Sequence, residues 1–139
     1  MEDLKRFLEA QEEDFEIALS EIKSGRKQSH WMWYIFPQIA GLGFSSTSRF
    51  YAIKDIEEAE EYLNHPILGK RLIEISESLL EIKGKTAHQI FGSPDDMKLK
   101  SSMTLFAGLE NTNPVFQKVL DKYFDGAKDE RTLQLIVAA

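Results

Sequence analysis

One uncharged stretch dominates the pattern of this chain, and it begins with His30-Trp31-Met32-Trp33-Tyr34-Ile35-Phe36-Pro37-Gln38. No charged residue occurs from Trp31 to Ser48, although 29% of the chain is charged. A helical segment that is apolar on every side is normally buried. Aromatic rings with polar tips are also typical of residues that line a ligand pocket. The sequence therefore predicts core packing or pocket lining for this segment, and Pro37 ends it.

A loop rich in glycine and serine follows at positions 38–47. Gly43 allows a close approach of the backbone. Ser45 and Ser48 act either as helix caps or as donors to a bound anion. With Arg49 they form a candidate clamp for a phosphate or carboxylate. The alternative is an ordinary loop that ends in an N-cap.

The other segments carry helical signals, including an amphipathic first segment with an acidic outer face and prolines at three helix starts. The predicted helices cover residues 3–24, 30–36, 56–64, 66–82, 94–109, 114–124 and 129–137, with a short helix at 48–53 and a short turn of helix at 86–91. The last segment also fits a strand, because its apolar residues are continuous. We expect a mainly α, compact single domain over residues 1–139, a bundle of about seven or eight helices.

The helix predicted at 94–109 holds a second group of candidate residues. Asp95 and Asp96 lie in its first turn, where carboxylates stabilise the helix dipole. Asp95, Lys98 and Ser102 follow at spacings of three and four, so they share one side of the helix. A carboxylate, an amine and a hydroxyl beside an apolar stripe form either a structural network or a site with shifted pKa values.

Composition excludes several classes of function. The chain has 139 residues, no cysteine and a net charge of -6. Thiolate chemistry is therefore excluded, and nucleic acid is a poor partner because the densest basic group is only Lys23, Arg26 and Lys27. The three histidines are far apart, so we expect no metal and no cofactor. With no signal peptide and no membrane-spanning run, we expect a cytoplasmic protein. We also expect a small-molecule ligand, and the oligomeric state stays open.

A family resemblance covers nearly the whole chain. The strings that carry it are Gly25-Arg26-Lys27, Ser29 to Trp33, Ile35 to Gln38, Gly41-Leu42-Gly43, Ser45, Ser48 to Ile53, Tyr62 to Pro66, Leu68-Gly69, Ile90-Phe91-Gly92, Pro94 to Leu99 and Ser101 to Phe106. They resemble a small bacterial family of unknown function whose members are often labelled "calpastatin", although it is not similar to the mammalian calpain inhibitor. The resemblance implies a mainly helical single domain and brings no assigned catalytic residue.

A more remote resemblance is to the NADAR superfamily, the NAD- and ADP-ribose-associated domains. Phe50-Tyr51-Ala52-Ile53-Lys54 is similar to one of its helices, and Asp95 to Phe106 followed by Asn113-Pro114 is similar to another. Where those proteins carry a glutamate, this chain has Ser48-Arg49. The resemblance implies a glycosidase that acts on ADP-ribosylated bases or on riboside metabolites.

Two hypotheses of function follow. In the first, a pocket binds a nucleotide or ribose-containing metabolite and hydrolyses its N-glycosidic bond. Asp96 or Asp95 supplies the carboxylate, and Lys98 shifts the pKa of that carboxylate or binds phosphate. The candidate ligand-binding residues are His30, Trp31, Trp33, Tyr34, Gln38, Gly43, Ser45, Ser48, Arg49, Tyr51 and Ser102. In the second, the protein is a non-catalytic interaction or ligand-sensing module, and the aromatic segment is core. Whether the protein is an enzyme stays open.

Overall fold

The computed structural model describes residues 4–138, and within this range the chain is helical without a β-strand. The helices are α1 (Lys5–Lys23), α2 (Met32–Ile35), α3 (Ser46–Tyr51), α4 (Ile56–Asn64), α5 (Leu68–Glu81), α6 (Ala87–Phe91), α7 (Asp95–Ala107), α8 (Val115–Phe124) and α9 (Glu130–Ala138). The mainly α prediction is confirmed, with nine helices in this range rather than seven or eight. The helix start predicted at residue 3 lies outside the described residues.

Two helix predictions are resolved by local hydrogen bonds. The last segment is a helix, α9, which begins directly after Asp129. The Asp129 carboxylate caps this helix by accepting from the backbone N–H of Thr132 at 2.9 Å. The helix predicted from Pro66 starts only at Leu68. The cause is His65, whose Nδ1 accepts from the N–H groups of Ile67 at 3.1 Å and Leu68 at 3.3 Å and so forms a turn there.

Helix α7 lies in the middle of the molecule, where it packs against α4, α6, α8 and α9. Every side chain from Ser101 to Phe106 is buried. The sequence predicts one apolar stripe for this helix, but a helix with neighbours on several sides buries most of its surface. The polar side chains at these positions are small, and Thr104 Oγ1 accepts a bond from the N–H of Asp129 at 2.9 Å.

The aromatic segment packs on α1 and completes the core. Trp31, Met32, Ile35 and Phe36 are buried, which confirms core packing for most of the segment. Trp33 and Tyr34 are only partly buried. The segment therefore has a core side and a side that reaches the surface.

A backbone pairing fixes the chain after α2. The N–H of Ile53 donates to the carbonyl of Gln38 and the N–H of Ala40 donates to the carbonyl of Ile53, both at 2.8 Å. These bonds hold the two ends of the segment 41–52 side by side. The loop 41–45 and α3 consequently stand beside α2. Among the described helices, none is both long and apolar enough to cross a membrane.

Candidate functional site

A small cavity lies between α2, the loop that follows it and α3. Its volume is about 10 Å³, close to the space that one water molecule needs. The residues that line it are Trp33, Gln38, Ile39, Leu42, Gly43, Ser48, Tyr51 and Ala52. The predicted ligand-binding residues Trp33, Gln38, Gly43, Ser48 and Tyr51 thus meet in one place, which we call the Trp33 cavity.

The Trp33 cavity has polar groups that the protein leaves without a partner. Within residues 4–138, no protein group hydrogen-bonds to the side-chain amide of Gln38, the hydroxyl of Tyr51 or the indole N–H of Trp33. Gln38 is only 9% exposed. None of these atoms is among the fully buried ones that lack a partner, so each reaches solvent, and water or another molecule in the cavity can supply its hydrogen bonds.

The loop closes tightly over one wall of the cavity. A Cβ at Gly43 would lie 2.7 Å from both Cβ and Oγ of Ser48, so only glycine fits without a shift. Ser45 caps α3 by accepting from the N–H of Ser48 at 3.1 Å, and the Ser48 hydroxyl donates to the Ser45 carbonyl at 2.9 Å. The two serines therefore stabilise the loop, and Ser48 Oγ keeps its lone pairs available to the cavity.

An ion-pair network borders Trp33 on the α7 side. Lys98 Nζ lies 3.9 Å from the centroid of the Trp33 ring and 3.1 Å from Asp95 Oδ1. Lys27 Nζ lies 2.9 Å from Asp95 Oδ2 and 5.0 Å from the Trp31 ring. A cation–π contact of this kind contributes about 0.5–2 kcal/mol, depending on desolvation. The network thus links the segment before α2, α2 itself and α7.

Both oxygens of Asp95 are held by a lysine. Burial raises the pKa of the Asp95 carboxyl, but hydrogen bonds and charge from Lys27 and Lys98 outweigh it and bring the pKa below its ordinary value. Asp95 is therefore an ionised group at neutral pH, suited to stabilising positive charge and unsuited to donating a proton.

Asp96 points to a different part of the surface. Its Oδ2 lies 3.5 Å from Nδ1 of the exposed His88, and its Oδ1 accepts from the N–H of Met97 at 2.8 Å. Asp96 does not line the Trp33 cavity. The two neighbouring carboxylates consequently have separate surroundings.

Ser102 is completely buried on α7, one turn beyond Lys98. Its Oγ reaches no solvent and has no hydrogen-bond partner in the described part of the chain. The sequence predicts that this side chain points inward or to the edge of the apolar stripe, and in the structure it points inward. Ser102 does not line the Trp33 cavity.

Three aromatic-segment candidates lie outside the Trp33 cavity. Trp31 is buried and donates from its indole N–H to Glu21 at 2.8 Å. The Tyr34 hydroxyl donates to the Asp14 carboxylate, and burial together with this bond raises the pKa of Tyr34. His30 is exposed at the start of the segment. None of these three lines the Trp33 cavity.

Arg49 lies in a separate, wider cleft of about 600 Å³ between α1, α3 and the start of α4. The cleft is lined by Lys5, Arg6, Glu9, Arg49, Phe50, Ala52, Lys54 and Glu58. The guanidinium of Arg6 donates there to the carbonyls of Phe50 at 2.7 Å and Ala52 at 2.8 Å. The expected clamp is therefore divided: Ser48 faces the Trp33 cavity, and Arg49 faces this cleft.

Sequence reasoning missed Lys27 as a member of the site. It belongs to the densest basic group of the chain and stands shortly before the aromatic segment, which is the one available signal. Its partner Asp95 is distant in sequence, so spacing rules for helices do not reveal the pair.

Comparisons with known proteins show a family and a close structural relative. A family model described as a protein of unknown function (DUF1810) matches residues 1–136. The crystal structure of the conserved hypothetical protein Rv1873 from Mycobacterium tuberculosis is similar, with a TM-score of 0.96 and 44% sequence identity. The alignment covers 99% of this chain and 98% of that one. No protein with a curated description matches the chain.

Proposed function

The chain belongs to the DUF1810 family of proteins of unknown function, and we propose that it binds a nucleotide or another ribose-containing metabolite at the Trp33 cavity. One observation carries this proposal: Gln38 is 9% exposed as a residue and lines the cavity, and its side-chain amide has no hydrogen-bond partner among the described residues. An amide that has both donors and an acceptor unused suits a ligand rich in hydroxyl groups, such as a ribose.

The neighbouring groups suit the same ligand class. The indole ring of Trp33 offers a face for stacking on a planar ring. The Tyr51 hydroxyl and Ser48 Oγ add two positions for hydrogen bonds. Because the cavity has only about 10 Å³ of space, the exposed loop 41–45 moves outward when the ligand binds.

The reaction that we assign to this site is hydrolysis of an N-glycosidic bond, as the remote resemblance to the NADAR superfamily implies. Neither carboxylate lines the Trp33 cavity. Asp95 is the better placed of the two, because its partner Lys98 lies on the Trp33 ring. An ionised carboxylate beside the sugar stabilises the positive charge that develops when the bond to the base breaks.

A second candidate function is ligand sensing without turnover. It is favoured by the pairing of both Asp95 oxygens with lysines, at 3.1 Å and 2.9 Å. A carboxylate that is neutralised in this way stabilises a developing positive charge less well than a free one.

The test combines calorimetric titration with mass spectrometry. Wild type and Gln38→Leu are titrated with ADP-ribose and NAD, with Gln28→Leu as a control because Gln28 is exposed outside the cavity. We expect binding by wild type and the control, and a loss of about tenfold or more in Gln38→Leu. Base release from NAD or ADP-ribosylated nucleosides supports hydrolysis, and binding without release supports sensing. Absence of binding by wild type would contradict the proposal.

A further inference from the structure

We propose that Lys98 sets the ligand class of the Trp33 cavity, selecting planar-ring ligands that also carry an anionic group. This inference rests on the proposed function and goes beyond it, because it explains which of the ring-bearing ligands bind. The determining contact is between the Lys98 ammonium and the Trp33 ring, whose centroid is 3.9 Å away.

Lys98 covers one face of the Trp33 ring from the α7 side and is not among the residues that line the Trp33 cavity. A ligand that reaches from the opened cavity onto this face meets Lys98, whose ammonium lies 3.9 Å from the ring centroid. A planar ligand that stacks on this face must displace it, since the two cannot occupy the same space. The lysine stem is flexible and its ammonium is a compact charge, so the side chain can turn aside while it keeps its ion pair with Asp95 at 3.1 Å.

Displacement has different consequences for neutral and anionic ligands. A neutral ring removes the cation–π contact of Lys98 and offers the ammonium nothing in exchange. A ligand with a phosphate or carboxylate beside its ring forms a new ion pair with the displaced ammonium. The binding free energy therefore favours the anionic ligand.

The charges around Asp95 support an anion at this place. Lys27 and Lys98 pair with the single carboxylate of Asp95, which leaves one positive charge in excess among these three groups. The Glu21 carboxylate, bonded to Ser29 and Trp31, lies on the Lys27 side, where Lys27 donates to the Ser29 carbonyl. The carboxylate next to Asp95 in sequence, Asp96, does not cancel the excess, because Asp96 is directed at His88 at 3.5 Å. Lys98 is partly buried, with 21% of its side chain exposed, so its charge is screened by solvent less than that of a surface lysine.

The test compares AMP with adenosine, which share a ring and a ribose and differ in charge. Wild type, Lys98→Met and Lys98→Arg are titrated with both compounds, with Lys100→Met as the matched control on the same helix, where Lys100 lies 5.9 Å from the Phe124 ring. We expect wild type, Lys98→Arg and Lys100→Met to bind AMP about tenfold more tightly than adenosine, as one added ion pair allows. In Lys98→Met we expect the two affinities to become similar and the affinity for adenosine to rise.

A measurement without ligand tests the contact itself. Trp31 is buried, so acrylamide quenching of tryptophan fluorescence reports mainly on Trp33. Quenching should increase in Lys98→Met and stay unchanged in Lys100→Met. Equal AMP and adenosine affinities in wild type, with unchanged quenching in Lys98→Met, would overturn the role of Lys98 and leave the proposed function intact. If wild type binds neither compound nor ADP-ribose, both proposals fail.

Discussion

Gln11 and Gln38 are both buried glutamines, and their surroundings are opposite. The Gln11 amide donates to the carbonyl of Tyr34 at 2.7 Å and the hydroxyl of Tyr62 at 2.8 Å, and it accepts from Arg71 at 3.4 Å. It joins α1 to α2, α4 and α5. Gln38 has no such bonds to the described residues. Gln11 therefore stabilises the packing of the helices, whereas the Gln38 amide is available to bind a ligand.

The same substitution at both positions separates these roles. Gln11→Leu should lower the free energy of unfolding by about 2 kcal/mol or more, because it leaves the Tyr34 carbonyl and the Tyr62 hydroxyl buried without a partner. Gln38→Leu should change it by less than about 1 kcal/mol, since no protein bond is lost. Urea unfolding followed by circular dichroism measures both. A comparable loss in both variants would show that Gln38 is structural.

The cavity residues were predictable from the sequence because they come from one uncharged stretch. Trp33, Gln38 and Ser48 lie within it, and Tyr51 follows shortly after. Their gathering results from the short-range pairing of Gln38 with Ile53, which needs no long-range information. Lys27 was not predictable as a partner of Asp95, because that contact depends on how α7 packs.

At the scale of elements, the turn between α1 and α2 is organised by one carboxylate. Glu21, on α1, accepts from the N–H of Gln28 at 2.8 Å, from the N–H and hydroxyl of Ser29, and from the indole of Trp31 at 2.8 Å. Partial burial raises the pKa of Glu21, but these hydrogen bonds outweigh it and lower the pKa from its ordinary 4.5 to about 2. The charge of Glu21 is therefore stabilising in the folded state.

Stability should consequently fall with acid in a defined window. Because the folded pKa of Glu21 is lowered, its contribution is fully present above about pH 4.5 and is lost as the pH falls towards 2. We expect Glu21→Gln to cost about 1–2 kcal/mol at pH 7, a value reduced from the full pKa shift because the carboxylate is partly solvated. Thermal unfolding of wild type and Glu21→Gln across this range measures the difference. A difference that does not shrink below pH 4.5 would contradict this account.

Helix caps were the most predictable elements. The spacing of Asp55 and Glu58 predicts an N-cap for α4 with a reciprocal bond from the Glu58 side chain, and Asp55 Oδ1 does accept from the N–H of Glu58 at 2.8 Å. The prediction of a reciprocal bond from Glu58 is wrong. The Glu58 carboxylate instead accepts from the N–H of Lys54 at 2.9 Å and pairs with Arg6 at 3.2 Å. The Asp55 cap is a contact between residues close in sequence, so it can be predicted. The contact of Glu58 with Arg6 of α1 forms only when the helices pack, so the sequence does not reveal it.

At the scale of the whole molecule, the packing depends on close contact between α4 and α5. A Cβ at Gly69 would lie 1.8 Å from the carbonyl oxygen of Leu63. Any larger residue must therefore separate the two helices. Since α5 also packs against α1 and α8, a shift of α5 affects much of the core.

Gly69→Ala should accordingly destabilise the whole chain. We expect a loss of about 2–3 kcal/mol, as overpacking of this kind produces. Gly108→Ala is the control, because a Cβ there meets its nearest neighbour at an ordinary 3.5 Å. Urea unfolding should show one transition, with the same midpoint by circular dichroism and by tryptophan fluorescence, if the chain is a single domain. Two separate midpoints in wild type would contradict the single-domain expectation.

The central position of α7 has a consequence for ligand binding. Because its segment Ser101–Phe106 is buried throughout, the backbone that carries Asp95 and Lys98 is already ordered before any ligand arrives. The loop 41–45 on the opposite side is mostly exposed. The conformational entropy lost on binding is then confined to this short loop and a few side chains. Rigidifying the loop, rather than adding contacts on α7, is the more effective way to raise affinity.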